Sequence, residues 1–134
     1  MKKYRRGIAF GAFDPLHYGH IKLFERAKDQ CRYLTVCVSN GEYIKKHKGR
    51  EEYVKLEERI RAIASINYVD KVIEQGDEPG KTKADRVKET MSDVIFVGND
   101  WTPETFGGEG LGAEVVYLPY TKEINSTQIR EQNI

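Results

Sequence analysis

A chain of 134 residues suits one domain with one core, here taken as residues 1–134, and no linker-like composition divides it. Its 22 Lys and Arg against 21 Asp and Glu leave a formal net charge of +1, so no whole-protein attraction draws it to nucleic acid or a membrane. The apolar stretch after the basic start Met1–Arg6 ends at Asp14, too short for a signal-peptide core, and no run approaches the roughly 20 apolar residues of a membrane span.

The elements alternate along the chain. Ile8-Ala9-Phe10 reads as a buried strand of about Arg6 to Phe10, and a helix follows from about Gly19 to Gln30, with Leu23, Phe24, Ala27 and Cys31 on its core stripe. The run Tyr33–Val38 is a second strand. A basic stretch then holds Lys45, Lys46, His47, Lys48, Gly49 and Arg50, and its pattern is that of a solvated loop or a phosphate-contacting one. The spacing predicts a longer helix over about Glu51 to Ile66, with Leu56, Ile60 and Ile63 buried and Arg59 and Arg61 off that row. Tyr68–Ile73 reads as a third strand and Lys83–Met91 as a short helix. Val94–Val97 is a core strand, and Glu114–Leu118 the last strand. Asn125, with Gln128 three residues on, has the spacing of a helix cap. Such alternation predicts an α/β fold, a Rossmann-like, doubly wound parallel sheet of about five strands with helices on both faces. Cys31 and Cys37 form no Cys-x-x-Cys pair and are expected as reduced, half-buried thiols in a cytoplasmic protein.

One stretch concentrates the chemistry: Gly11-Ala12-Phe13-Asp14-Pro15-Leu16-His17-Tyr18-Gly19-His20 turns from the first strand into the first helix. A helix start offers unpaired N–H groups and a partial positive charge, a natural phosphate site. Gly11 and Gly19 lack a Cβ and could let phosphates approach the backbone. His17 and His20, three apart, would share one side of the first turn and could donate to the same oxygen. The same pair also fits half of a metal site or two surface histidines. With every strand running the same way, this motif, the basic stretch, Asn99-Asp100-Trp101 and Asn125-Ser126-Thr127 collect on one edge of the sheet, as a nucleotide site in a doubly wound fold requires.

The pattern Gly-x-Phe-Asp-x-x-His-x-Gly-His resembles the signature of the cytidylyltransferase-like nucleotidyltransferases. That family includes cytidylyltransferases acting on phosphorylated alcohols such as glycerol 3-phosphate, and adenylyltransferases such as archaeal FAD synthetase. The resemblance runs on through residues 17–28, Tyr68–Ile73, Gly98-Asn99-Asp100-Trp101, Glu114–Pro119 and Ile124–Ile129. It implies transfer from CTP to a phospho-alcohol, giving a CDP-alcohol and pyrophosphate, or else adenylyl transfer from ATP to a sugar phosphate or FMN. By the same resemblance His17, His20, Lys48, Ser126 and Thr127 are catalytic. Gly11, Ala12, Phe13, Asp14, Gly19, Arg59, Gly98, Asp100, Trp101, Tyr120, Thr121, Ile124, Ser126 and Thr127 then surround the nucleotide. Asp14 and Asp100 are the groups expected to touch Mg²⁺ or the ribose, with Mg²⁺ expected as the triphosphate's counterion, while Asp14 also fits a residue that only caps a turn. A homodimer is implied as well. Two departures stand out: Asn67 and Tyr120 occupy positions where the cytidylyltransferases carry arginine, and neither brings a positive charge.

Overall fold

Strands β1 (Tyr4–Gly11), β2 (Cys31–Ser39), β3 (Lys71–Gln75), β4 (Val94–Gly98) and β5 (Glu114–Leu118) form one sheet in the order β3-β2-β1-β4-β5. Every neighbouring pair is parallel. Helices α1 (Tyr18–Gln30), α2 (Gly41–Lys48), α3 (Leu56–Ala64) and α4 (Lys83–Thr90) fill the connections. The structure, a computed structural model, describes residues 2–98 and 110–118.

Parallel strands covered on two faces need apolar residues at successive positions, and β1, β2 and β4 supply them. Leu34, Val36, Cys37, Val38, Val94, Ile95 and Phe96 are all fully buried. Leu23, Phe24 and Ala27 of α1 and Ile63 of α3 pack with Ala9, Leu34, Val36, Val38 and Phe96 on one face. Val87 of α4 packs with Ile8, Phe10, Cys37, Ile95 and Val97 on the other. Each large side chain so buried contributes on the order of 1.5–3 kcal/mol. The chain leaves β1 for β2 and β3 on one side and returns to β4 and β5 on the other. The crevice between β1 and β4 is therefore the topological switch point, at the carboxyl edge.

The doubly wound fold stands as expected, with corrections in detail. The basic stretch is not a loop. Residues 45–48 are the last turn of α2, which starts where the Asn40 side chain accepts the Tyr43 N–H (2.8 Å). It stops at Gly49, whose φ of 68° suits a residue without a Cβ. Only Ile44 of that helix is buried, so no apolar period announces it, while the three lysines of its last turn suit the negative end of the helix dipole. The next helix begins at Leu56 rather than Glu51, because the Asp14 carboxylate takes the N–H groups of Tyr53 and Val54. The third strand begins at Lys71. Just before it, the Asp70 N–H donates to the Leu34 carbonyl (2.9 Å), while the Asp70 carboxylate accepts the Leu34 N–H and pairs with Lys28. The two cysteines are free thiols, fully rather than half buried, and burial pushes Cys37 up to about 12. Among the described residues no helix is long and apolar enough to cross a membrane.

Candidate active site

β1 delivers Gly11 to the carboxyl edge, and the chain turns there into α1. Phe13 takes a left-handed backbone conformation (φ 52°), uncommon for a residue with a bulky side chain, and its ring is buried. The ring meets Phe24 (5.2 Å) and His20 (5.0 Å) edge-on. It also fills the space above Gly11, where a Cβ would come within 2.7 Å of it. The missing Cβ of Gly11 thus makes room for Phe13. Gly19 is buried in the first turn of α1.

The histidines cap the helix reciprocally. The Gly19 N–H donates to Nδ1 of His17 (3.0 Å), and the His17 N–H donates to Nδ1 of His20 (3.2 Å). A capping box normally places an oxygen-bearing side chain at each end; two imidazoles at the same spacing do the work of one. Because each Nδ1 uses its lone pair this way, the ring proton of each neutral imidazole sits on Nε2. The rings stack at 3.8 Å and 22°. Burial lowers the pKa of His17. Burial, with His17 and Lys48 adding their repulsion, pushes His20 down to about 3. The pair is therefore neutral near pH 7, with a tautomer suited to donating Nε2–H to an anionic oxygen. Lys48, at the end of α2, is near enough for its charge to act on His20.

Three other expected residues serve the site's framework. Arg59 is buried: its Nε donates to the Val54 carbonyl (2.7 Å), Nη1 to those of Ala12 (2.9 Å) and Ser39 (2.7 Å), and Nη2 to Glu52 (2.7 Å). The reading that Arg59 lies off the buried row fails for this reason: four acceptors replace the water a guanidinium would otherwise lose. Ala12 enters through that carbonyl. Asp14 accepts the Tyr53 and Val54 N–H groups (2.8 Å each) and Nη1 of Arg50 (2.9 Å), and Arg50 lies over the Tyr53 ring at 4.8 Å. Gly98 ends β4, buried at the same edge. Asp100, Trp101, Tyr120, Thr121, Ile124, Ser126 and Thr127 lie outside the described residues, as does the expected closing helix.

Lys83 and Tyr43 escaped the sequence reading. The Lys83 ammonium donates to the Tyr43 hydroxyl (2.9 Å) and stands 6.0 Å from the Phe10 ring, which places a cation beside the end of β1. The available signal was Thr82-x-x-Asp85, a capping box that fixes α4 to begin at Lys83.

A parallel doubly wound sheet with a histidine-capped helix at its switch point defines the class. The chain belongs to the Cytidylyltransferase-like family, which it matches over residues 8–132, and it is a nucleotidyltransferase. It is 39% identical over 128 residues to the glycerol-3-phosphate cytidylyltransferase of Bacillus subtilis (strain 168), covering 96% of each chain. It is 36% identical to the FAD synthase of Pyrococcus abyssi, covering 86% of this chain and 80% of that one. The lipopolysaccharide core biosynthesis protein of Thermoplasma volcanium has the same fold, with a TM-score of 0.71 at 25% identity over 90% of this chain and 99% of that one.

Proposed function

We propose that the protein transfers a cytidylyl group from CTP to glycerol 3-phosphate or a related phospho-alcohol, forming a CDP-alcohol and pyrophosphate. The observation that carries the chemistry is the neutral, tautomer-locked pair His17 and His20 at the start of α1. The choice of CTP rests on likeness to the Bacillus subtilis enzyme over nearly the whole of each chain.

In this reading an oxygen of the acceptor's phosphate attacks the α-phosphorus in line. The bond from that phosphorus to the bridging oxygen breaks, and its electrons leave with pyrophosphate. No side chain forms a covalent bond, so the protein's work is positioning and charge neutralisation. His17 and His20 donate Nε2–H to the α-phosphate as charge gathers there, with the positive end of α1 behind them. Lys48 reaches over the triphosphate, and Lys83 meets the acceptor's phosphate at the carboxyl edge. Ser126 and Thr127 complete the triphosphate's ligands.

Mg²⁺ accompanies the triphosphate as its counterion, but Asp14 does not fit a place in its coordination. Its side chain is 0% exposed, and both of its oxygens accept protein N–H groups. Among the described residues no three His, Cys, Asp or Glu side chains come together to hold a metal. A cytoplasmic homodimer goes with this reading.

Asn67 and Tyr120, in place of two arginines, favour a second reading, adenylyl transfer to FMN or a sugar phosphate, and the likeness to an FAD synthase supports it. A pyrophosphate-release assay decides between the two. It crosses CTP and ATP with glycerol 3-phosphate, sugar phosphates and FMN. Fastest release with CTP and a phospho-alcohol is expected. Release only with ATP would transfer the conclusion to the second reading, and no release with any pair would refute both.

A further inference from the structure

We propose that Asp14 is a positioning residue that fastens the segment between α2 and α3 to the histidine loop, and so sets Lys48 above the histidine pair, rather than a ligand to Mg²⁺. The role of Lys48 in this statement rests on the nucleotidyl-transfer reading; the fastening does not.

The carboxylate faces three N–H donors from one short segment. Tyr53 N–H (2.8 Å) and Arg50 Nη1 (2.9 Å) meet Oδ2, and Val54 N–H (2.8 Å) meets Oδ1. Each donor turns the positive end of its dipole, or a whole positive charge, toward the oxygens. A divalent cation would have to displace them and would meet their repulsion. Mg²⁺ also keeps several waters in a near-octahedral shell, for which a side chain with no exposed surface offers no space.

The same segment is held a second time. The Val54 carbonyl and Glu52 accept from Arg59, which also grips the Ala12 carbonyl two residues before Asp14. Residues 12–14 and 50–54 are thereby joined into one unit through buried and part-buried, charge-assisted contacts. Only Gly49 separates Lys48 from that unit. Its ammonium can swing, but its backbone cannot depart from the histidines while Asp14 holds.

Asp14→Asn keeps the volume but leaves one amide facing three donors. Arg50→Gln removes the side-chain donor and leaves the carboxylate intact. Each full-length variant is digested with trypsin without nucleotide or metal, and cleavage after Lys45, Lys46, Lys48 and Lys55, the sites that both variants keep, is followed by mass spectrometry. We expect cleavage of Asp14→Asn to be about tenfold or more faster than wild type, the effect of losing a charge-assisted contact on local opening, with Arg50→Gln in between. In turnover assays the KM for nucleotide should rise in each variant while the half-saturating Mg²⁺ concentration stays within about twofold. Wild-type cleavage of both variants would overturn the proposal. So would a shift of Mg²⁺ half-saturation in Asp14→Asn that Arg50→Gln does not share. Should Asp14→Asn fail to fold, Arg50→Gln alone decides by the same cleavage criterion. If wild type itself shows no turnover, the functional reading fails, and the digestion still decides the fastening.

Discussion

Arg59 offers the sharpest test of whether a cation near the site holds ligand or holds protein. Its guanidinium, in a residue 2% exposed, donates to three main-chain carbonyls and to Glu52. Arg59→Met keeps much of the apolar stem and strips the donors. Breaking a buried charged pair by removing one partner costs roughly 3–5 kcal/mol, most of it from groups left unpaired. Glu52, with its side chain 31% exposed, rehydrates readily, so its share is small. The carbonyls of Ala12, Ser39 and Val54 carry most of the loss, and water entering the vacated space recovers some of it. About 3–4 kcal/mol remains. For 134 residues the unfolding entropy is roughly 0.28 kcal/mol/K, so the expected drop in Tm is about 11–14 °C. Urea unfolding followed by circular dichroism gives the free energy, with Arg59→Lys as an intermediate case because an ammonium cannot reproduce the planar fork. A variant within about 1 kcal/mol of wild type that nevertheless bound nucleotide poorly would refute the reasoning, and Arg59 would then be a phosphate ligand.

Three further outcomes are expected. His17→Ala and His20→Ala should each lower turnover by roughly 10²–10³-fold with a much smaller change in nucleotide affinity, read by steady-state kinetics and calorimetric titration; near-native turnover in either would make the pair structural. Acid should destabilise the fold through His20, whose pKa falls from 6.5 unfolded to about 3 folded. The unfolded chain takes up the proton first, so stability is lost as pH drops below 6.5, by up to roughly 1.4 kcal/mol per unit until about pH 3. His20→Asn, which keeps an acceptor for the His17 N–H, should lose about 2 kcal/mol less than wild type between pH 7 and 5, and equal losses in urea titrations would contradict the burial of a neutral ring. Gly11→Ala should destabilise by about 1–3 kcal/mol, because the new methyl meets the Phe13 ring, and thermal denaturation showing no loss would mean that ring is free to move.

The residues by themselves determined the strand-helix alternation, and with it a parallel sheet whose ligand edge lies beyond the strands' carboxyl ends. Val94–Val97 is legible because burial on two faces demands an unbroken apolar run, and Glu114–Leu118, a half-buried edge strand, because of its apolar and β-branched run; both are local, composition-driven signals. The strand-turn-helix context of His17 and His20 is local too, and so is their spacing of three. What side chains do when they are drawn in from distant positions is not local. Nothing in the pattern of residues 45–50 distinguishes a charged loop from the end of a helix, since α2 buries one residue and depends on a cap at Asn40 and a left-handed glycine at its end. Arg59 reads as a cation off the buried row and near the nucleotide because its acceptors come from residues 12, 39, 52 and 54, and only the folded chain assembles them. By resemblance Asp14 reads as a group for Mg²⁺ or the ribose, and by its place in the chain as a turn cap; the tertiary structure surrounds it with N–H donors brought from 36 to 40 residues away. A carboxylate's role is decided by which positive partners reach it first, and that is a property of the fold.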